Sequence, residues 1–264
     1  YKKEFYGGRI FTEYYNKKFK IYDDQIIEKS FRLQNNYNKK LKLGWNIGLG
    51  NVHISFSYIH EIIRKLFPTS NFFKYPKKFV STNSQKDIDF FFRGSVNYNL
   101  NTIKFHRQKF VEDLNSILSK KKSTSIINKE IYGKNSSLNF IKKAKGVLSD
   151  SDYKKIQDSS KVSFSPFGWG ELGARDYESI ISGSLLVKPS LNHMETWPDI
   201  FLPHETYLPI DWDFKNLEET INKSLQPSIR KRISSNSQEA YRGTINMNGM
   251  NKFVKRFLTQ IEEK

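Results

Sequence analysis

Four polar side chains within twelve residues have the chemistry to bind a phosphorylated sugar. They follow one another at steps of four, three and four residues, and they are Glu171, Arg175, Glu178 and Ser182. A helix over this segment would place them on one face. An arginine guanidinium donates paired hydrogen bonds to phosphate oxygens, and a carboxylate accepts hydrogen bonds from sugar hydroxyls. The plainer alternative is a solvated helix face with salt bridges between successive turns.

A loop with two glycines comes directly before these residues, in the order Phe167-Gly168-Trp169-Gly170. Glycine allows the backbone to turn sharply and to lie close to a ligand. A helix from 171 to 182, ended by Gly183, would offer the N–H groups of its first turn to phosphate. The apolar runs at 162–166 and 184–187 predict buried strands on both sides of this helix.

These motifs resemble the donor-binding half of a GT-B-fold glycosyltransferase, in particular exostosin-like and spore-coat-type glycosyltransferase-like proteins. The matching residues are Ser165-Pro166-Phe167-Gly168-Trp169-Gly170-Glu171, Arg175-Asp176-Tyr177-Glu178, Ser182-Gly183 and Leu185-Leu186-Val187-Lys188-Pro189. The resemblance covers residues 86–225 and is most specific over 161–189. Related enzymes carry the pattern Glu-x7-Glu, whose second glutamate holds the nucleotide ribose, and Glu178 matches that position. Glu171 departs from the pattern because six residues separate it from Glu178.

The resemblance implies a metal-independent hexosyl- or pentosyltransferase that moves a sugar from a nucleotide-sugar to a glycan or other hydroxyl acceptor. Arg175 and the helix N-terminus would stabilise the departing nucleoside diphosphate. Glu171 is the local candidate for the base that activates the acceptor. No cofactor and no metal is expected, because the Asp-x-Asp pairs at 87–89 and 211–213 open a strand and precede a helix.

Further nucleotide-sugar contacts are expected from three other places in the chain. A glycine beside a basic residue follows the predicted strand at 88–92, a position where open α/β sheets bind ligands. A second arginine stands near the start of a predicted helix over 103–120, and two polar residues occupy the loop after Pro189. The expected contacts are Arg93, Gly94, Arg107, His193 and Glu195. The alternatives are a solvated first helical turn and an ordinary surface loop.

The predicted elements alternate as β-α-β-α-β-α-β, which indicates a Rossmann-like parallel sheet with flanking helices. We expect a partial N-terminal region with a linker at 1–85, a nucleotide-sugar-binding domain at 86–240, and a C-terminal helix at 241–264 that packs back on the N-terminal region. Residues 1–50 contain short β-prone and aromatic pieces such as Tyr14-Tyr15. The chain begins at Tyr1, which predicts that it is part of a longer protein.

The composition is strongly basic, with a net charge of +17 and a pI of about 9.7. This charge fits anionic nucleotide-sugars or an anionic membrane surface, it fits nucleic acid less well, and an AT-rich coding sequence would also produce it. The absence of cysteine excludes disulfides and thiolate chemistry and fits a reducing compartment such as the cytoplasm.

Two other function classes remain open at this stage. The chain can be a non-catalytic nucleotide- or glycan-binding domain of the same fold, or a basic nucleic-acid-binding module. Aromatic and basic residues do not interleave in a compact RNA-reading motif, so nucleic acid is not expected as the partner. The sequence also contains no Walker A motif, no G-x-S-x-G elbow and no H-E-x-x-H pair.

Overall fold

A computed structural model describes residues 14–21, 43–44, 78–121, 125–127, 150–168 and 170–262. A short helical segment occupies residues 14–19. The remaining elements are β1 (Ile88–Phe92), α1 (Asn101–Ser119), β2 (Ser125–Ile127), α2 (Asp150–Asp158), β3 (Ser160–Phe164), α3 (Ala174–Ile181), β4 (Leu185–Pro189), β5 (Leu208–Ile210), α4 (Leu217–Leu225), α5 (Pro227–Ile245) and α6 (Met247–Glu262).

The strands form one parallel sheet in the order β2-β1-β3-β4-β5. The chain moves from β1 outward to β2, and then returns to the other side of β1 to add β3, β4 and β5. The direction of winding therefore reverses between β1 and β3. In open α/β sheets the crevice at the carboxyl ends of two such strands is the usual ligand site. The predicted Rossmann-like α/β fold is confirmed.

The strands are apolar on both faces because helices cover both sides of the sheet. On β4, Leu185 and Val187 face a core shared with α1 and α4, whereas Leu186 faces a core shared with α3 and α5. Phe90, Phe91 and Phe92 of β1 are completely buried. Each such side chain contributes about 1.5–3 kcal/mol of hydrophobic free energy, so the sheet is a rigid base for the loops at its edge.

Helix α3 is shorter than the segment predicted from the sequence. It begins at Ala174, and the preceding Gly173 N–H donates to the Asp176 carboxylate at 2.9 Å. Glu171 therefore lies in the turn before the helix and not on its face. Ser182 is buried and its hydroxyl donates to the Ser179 carbonyl. The predicted polar helix face was therefore wrong for Glu171 and Ser182, whereas Arg175 and Glu178 do lie on α3.

Gly183 ends α3 as predicted. Its φ of 65° lies in the left-handed region, and a β-carbon there would meet the Val80 carbonyl oxygen at 2.7 Å. Glycine is the residue that accepts both conditions without strain. The turn returns the chain directly into β4, which places α3 along the sheet with its first residues at the ligand-binding edge.

Parts of the terminal regions also pack on this α/β body. Residues 14–19, where the sequence suggested β-prone pieces, are helical, because the buried ring of Tyr15 and an ion pair between Lys18 and Asp213 hold them against the domain.

The boundary expected at residue 240 lies inside α5, which continues to Ile245. In α6, Arg256 and Gln260 donate to the Leu43 carbonyl. Residues 57–67, whose apolar spacing predicts a further helix ended by Pro68, lie outside the described residues. No described helix has the length and apolar character needed to cross a membrane.

Candidate functional site

An open cleft of about 490 Å³ lies at the carboxyl ends of β1 and β3, where the winding reverses. It is enclosed by the start of α1, the loop after β3, the first turns of α3, and α2. Its charged and aromatic lining consists of Tyr98, Arg107, Tyr153, Glu171, Arg175 and Glu178. The cleft therefore combines two guanidinium groups, two carboxylates and two phenol rings.

Arg107 is an almost fully buried arginine at the base of the cleft. Its Nη1 donates to the carbonyls of Pro166 and Phe167, at 3.4 and 3.3 Å. Its Nε is buried and has no hydrogen-bond partner among the described residues. Burial, followed by the positive charge of Arg175, lowers the pKa of Arg107 to about 10. The side chain is thus charged at neutral pH at an electrostatic cost that an anion in the cleft would relieve.

Gly94 lies directly under both guanidinium groups. A β-carbon at this position would come within 2.6 Å of Nη2 of Arg107 and within 2.6 Å of Nη2 of Arg175. Arg175 Nη2 also donates to the Arg93 carbonyl, and both guanidinium groups lie 5.4 Å from the ring centre of Phe92. The absence of a side chain at residue 94 is what allows the two arginines to converge.

Arg175, Tyr153 and Glu178 form a chain of hydrogen bonds along one wall. Arg175 Nε donates to the Tyr153 hydroxyl at 3.4 Å, and that hydroxyl donates to Oε2 of Glu178 at 3.3 Å. Burial raises the pKa of Tyr153, so the phenol keeps its proton. Tyr153 thereby fixes the orientation of the Glu178 carboxylate, whose other oxygen is left to accept hydrogen bonds from the cleft.

His106 holds the loop that follows β3. The Phe167 N–H donates to His106 Nε2 at 3.3 Å, and Nδ1 lies 2.8 Å from the Tyr15 hydroxyl. Burial, and then the positive charge of Arg107, lower the pKa of His106 well below its usual value. The neutral ring can accept from the backbone only at an unprotonated Nε2. His106 is therefore a structural residue that positions the loop.

A buried ion pair supports the turn in front of α3. Lys188 Nζ lies 2.6 Å from Oδ2 of Asp176, and it also donates to the Glu171 carbonyl at 2.6 Å. Both side chains are completely buried. Burial is the main cause that lowers the pKa of Lys188, and the charge of Asp176 opposes it. The pair links β4, α3 and the turn, and so fixes where the Glu171 side chain begins.

Glu171 in turn approaches a histidine from the loop after β4. Oε1 of Glu171 and Nε2 of His193 are 3.5 Å apart, and the two side chains are 8% and 9% exposed. His193 packs edge-on against Trp212, with ring centres 4.8 Å apart. Neither Oε1 nor the two ring nitrogens make a hydrogen bond within the described residues.

The structure brings most of the predicted site residues into this one cleft. Gly168 and Gly170 line it, together with Arg107, Glu171, Arg175 and Glu178, and Gly94 lies beneath. His193 stands behind Glu171 and does not line the cleft. Trp169 lies outside the described residues.

Two predicted contacts are not placed in the cleft. Arg93 contributes its backbone carbonyl to Arg175, and its side chain is not part of the lining. Glu195 is exposed on the 190–199 loop and is not part of the lining either. In the same loop Trp197 stacks on Phe253 of α6, with ring centres 5.9 Å apart.

Sequence reasoning missed Tyr98 and Tyr153. Their aromatic character is also typical of core residues, and no local motif marks either residue as part of a binding site. Only the position of α2 beside α3 reveals that its hydroxyl reaches Arg175 and Glu178. Among the described residues no three His, Cys, Asp or Glu side chains converge on a point that could hold a metal ion.

No protein-family model matches the chain, and no curated protein matches it significantly. The fold and the cleft define an α/β protein of Rossmann-like architecture with an arginine-containing cleft at the switch point of its sheet.

Proposed function

We propose that this cleft binds the nucleoside diphosphate part of a nucleotide-sugar, and that the protein is a glycosyltransferase of the GT-B type. One observation carries the proposal: the guanidinium groups of Arg107 and Arg175 converge over Gly94 at the point where the strand order reverses. Phosphate groups bind to arginine forks and to helix N-termini, and α3 begins beside the same cleft.

The electrostatics of the cleft favour an anion with two adjacent charged groups. Burial first, and then repulsion by the positive charge of Arg175, lowers the pKa of Arg107. A diphosphate would replace this repulsion with charge-assisted hydrogen bonds. When the bond between sugar and phosphate breaks, negative charge grows on the departing diphosphate, so the same two arginines would stabilise the transition state more than the ground state.

The carboxylates suit the remaining parts of such a ligand. Glu178, oriented by Tyr153, would accept hydrogen bonds from ribose hydroxyls, and Tyr98 offers an aromatic face at the same cleft. Glu171 lies in the turn before α3, where a transferred sugar and its acceptor would meet. The acceptor in this proposal is a glycan or another hydroxyl compound.

The first test is a thermal-shift and calorimetry screen of UDP, GDP, CMP, TDP and their sugars. A ligand at about 100 times its dissociation constant stabilises the folded state by roughly 2.7 kcal/mol. We expect one base to bind, and Arg175→Ala and Glu178→Ala to abolish binding. Arg232→Ala is the matched control, because this exposed arginine lies on α5, outside the cleft lining, and donates to the His204 carbonyl. A failure of every nucleotide to bind the wild-type chain would refute the proposal.

A transfer assay with the identified nucleotide-sugar then separates enzyme from binding domain. Release of the nucleoside diphosphate together with a glycosylated product supports the transferase. Binding without release in the presence of varied hydroxyl acceptors supports a non-catalytic binding domain of the same fold. An affinity for nucleic acid that falls steeply with salt and survives Arg175→Ala would instead support the basic nucleic-acid-binding module.

A further inference from the structure

We propose that Glu171 and His193 form a coupled acid–base pair that carries one exchangeable proton in the wall of the cleft. This inference deepens the proposed transferase function and rests on it for the reaction that the pair would serve. Glu171 reaches the cleft, whereas His193 lies behind it and acts through it. Glu171 is thus the catalytic residue of the pair and His193 the positioning residue.

Burial is the first argument for the coupling. Oε1 of Glu171 and Nε2 of His193 face each other at 3.5 Å, and more than nine-tenths of each side chain is removed from solvent. Buried polar atoms without partners are costly and rare. Within the described residues Oε1 of Glu171 and both ring nitrogens of His193 make no hydrogen bond, so a shared proton would give the two facing atoms a partner.

The charge balance around the pair is the second argument. The charged and titratable groups on the surrounding elements include Lys188, Asp176, Arg175, Arg107, His106, Tyr207 and Asp213. Lys188 is paired with Asp176 at 2.6 Å and interacts more weakly with the Glu171 charge, and Asp213 is paired with Lys18. Arg107 and Arg175 are directed to the loop carbonyls and to Gly94. His193 Nε2 faces Oε1 of Glu171 at 3.5 Å, so a proton shared between these two atoms would neutralise the buried carboxylate.

In the transfer reaction the deprotonated pair would accept a proton from the acceptor. The acceptor oxygen forms its bond to the anomeric carbon while the bond between that carbon and the phosphate oxygen breaks, and the nucleoside diphosphate leaves with the electron pair. The hydroxyl proton passes to the Glu171 carboxylate and is stabilised by transfer to His193 Nε2. Because both members take part in the uptake of this proton, removal of either should slow the transfer step.

Histidine NMR on the full chain tests the coupling without any ligand. In protein labelled with nitrogen-15 at histidine, the ring nitrogen signals of His193 are assigned by their loss in His193→Gln and compared between variants at one fixed pH. We expect Glu171→Gln to move the His193 Nε2 signal, because it removes the carboxylate that faces this nitrogen at 3.5 Å. Glu171→Asp, which keeps a carboxylate, should move the signal less. Glu195→Gln is the control from the same loop and should leave the signal unchanged. Unchanged His106 signals would show that the variants fold correctly.

Identical His193 ring nitrogen signals in the wild type and in Glu171→Gln would overturn the proposal, and this result can be obtained even if no nucleotide binds. When a nucleotide-sugar substrate is in hand, His193→Gln should lower kcat by about 10²- to 10⁴-fold, while the nucleotide dissociation constant stays the same. Full turnover by His193→Gln would refute the proton-carrying role. Nucleotide binding tests the proposed function separately. If Arg175→Ala loses nucleotide binding and His193→Gln keeps it, the proposed binding site holds, and the kcat of His193→Gln then tests the proton-carrying role alone.

Discussion

Nη2 of Arg107 and Nη2 of Arg175 each lie 2.6 Å from the place that a β-carbon on residue 94 would occupy. One arginine comes from α1 and the other from α3, and the two helices lie on opposite faces of the sheet. They meet only because β1 and β3 are neighbours and end at the same edge. The lack of a side chain at Gly94, in the loop after β1, thus allows two positive charges to lie side by side in the cleft.

Replacement of Gly94 by alanine should weaken anion binding more than it weakens the fold. The added methyl group would displace both guanidinium tips, which are the mobile ends of long side chains, whereas the backbone around residue 94 has no positive φ to strain. We expect at least a tenfold rise in the dissociation constant of the bound nucleoside diphosphate, which corresponds to about 1.4 kcal/mol. Calorimetric titration measures it.

Gly170→Ala is the matched control for this substitution. Gly170 lines the same cleft, but the nearest contact that a β-carbon there would make among the described residues is an ordinary one, with the Leu172 carbonyl oxygen at 3.7 Å. Its nucleotide affinity should therefore stay within about twofold of the wild type, since a substitution without a clash costs little. Equal losses in the two variants would mean that the loop backbone, and not the arginine pair, binds the ligand.

The protein should lose stability as the pH falls below the ordinary pKa of histidine, and His106 should be a main cause. Burial keeps His106 neutral in the folded chain, whereas the unfolded chain binds a proton below about pH 6.5. The unfolded state then holds more protons, so the free energy of unfolding decreases with falling pH. Urea unfolding between about pH 7.5 and 5.5 measures this slope, which His106→Gln should reduce. The exposed His204, replaced by glutamine, should leave the slope intact.

Removal of one partner of the Asp176–Lys188 pair should be severely destabilising. Lys188→Met leaves the Asp176 carboxylate buried without its counter-charge and removes the donor to the Glu171 carbonyl. A broken buried pair costs about 3–5 kcal/mol of unfolding free energy. Urea titration should find this loss, whereas Lys109→Met, in a partly exposed i,i+4 pair with Asp113, should cost less than about 1 kcal/mol. A loss as small as that of the Lys109–Asp113 pair would contradict the structural role given to Lys188.

Lys86 should make the stability rise with pH in the alkaline range. Its ammonium group donates to the carbonyls of Asp158 and Ser182 under partial burial, and burial lowers its pKa to about 8. Between pH 8 and the unfolded value of about 10.4 the unfolded chain holds more protons, so the free energy of unfolding increases with pH there. Lys86→Met should flatten this slope relative to the wild type. Lys120→Met, at an exposed position after α1, serves as the control and should keep it.

Local patterns in the sequence were sufficient for the fold class. The apolar run at 88–92 coincides with β1, and the glycine at 183 ends α3 where the helix-stop pattern placed it. Such features depend on residues close together in the chain, through strand hydrophobicity and the steric freedom of glycine. The start of α3 was predicted three residues early. The helix begins after Gly173, whose N–H donates to the Asp176 carboxylate, and Lys188 of β4 holds that carboxylate in place.

The sequence by itself determined that Arg107, Arg175 and Glu178 are chemically suited to a phosphorylated sugar and that strands precede them. Only the tertiary structure decided that the two arginines share one glycine, that Tyr153 orients Glu178, and that His193 stands behind Glu171. These relations join residues from different strands and helices. They depend on the strand order, which is set by how both faces of the sheet are covered, and no local spacing records that order.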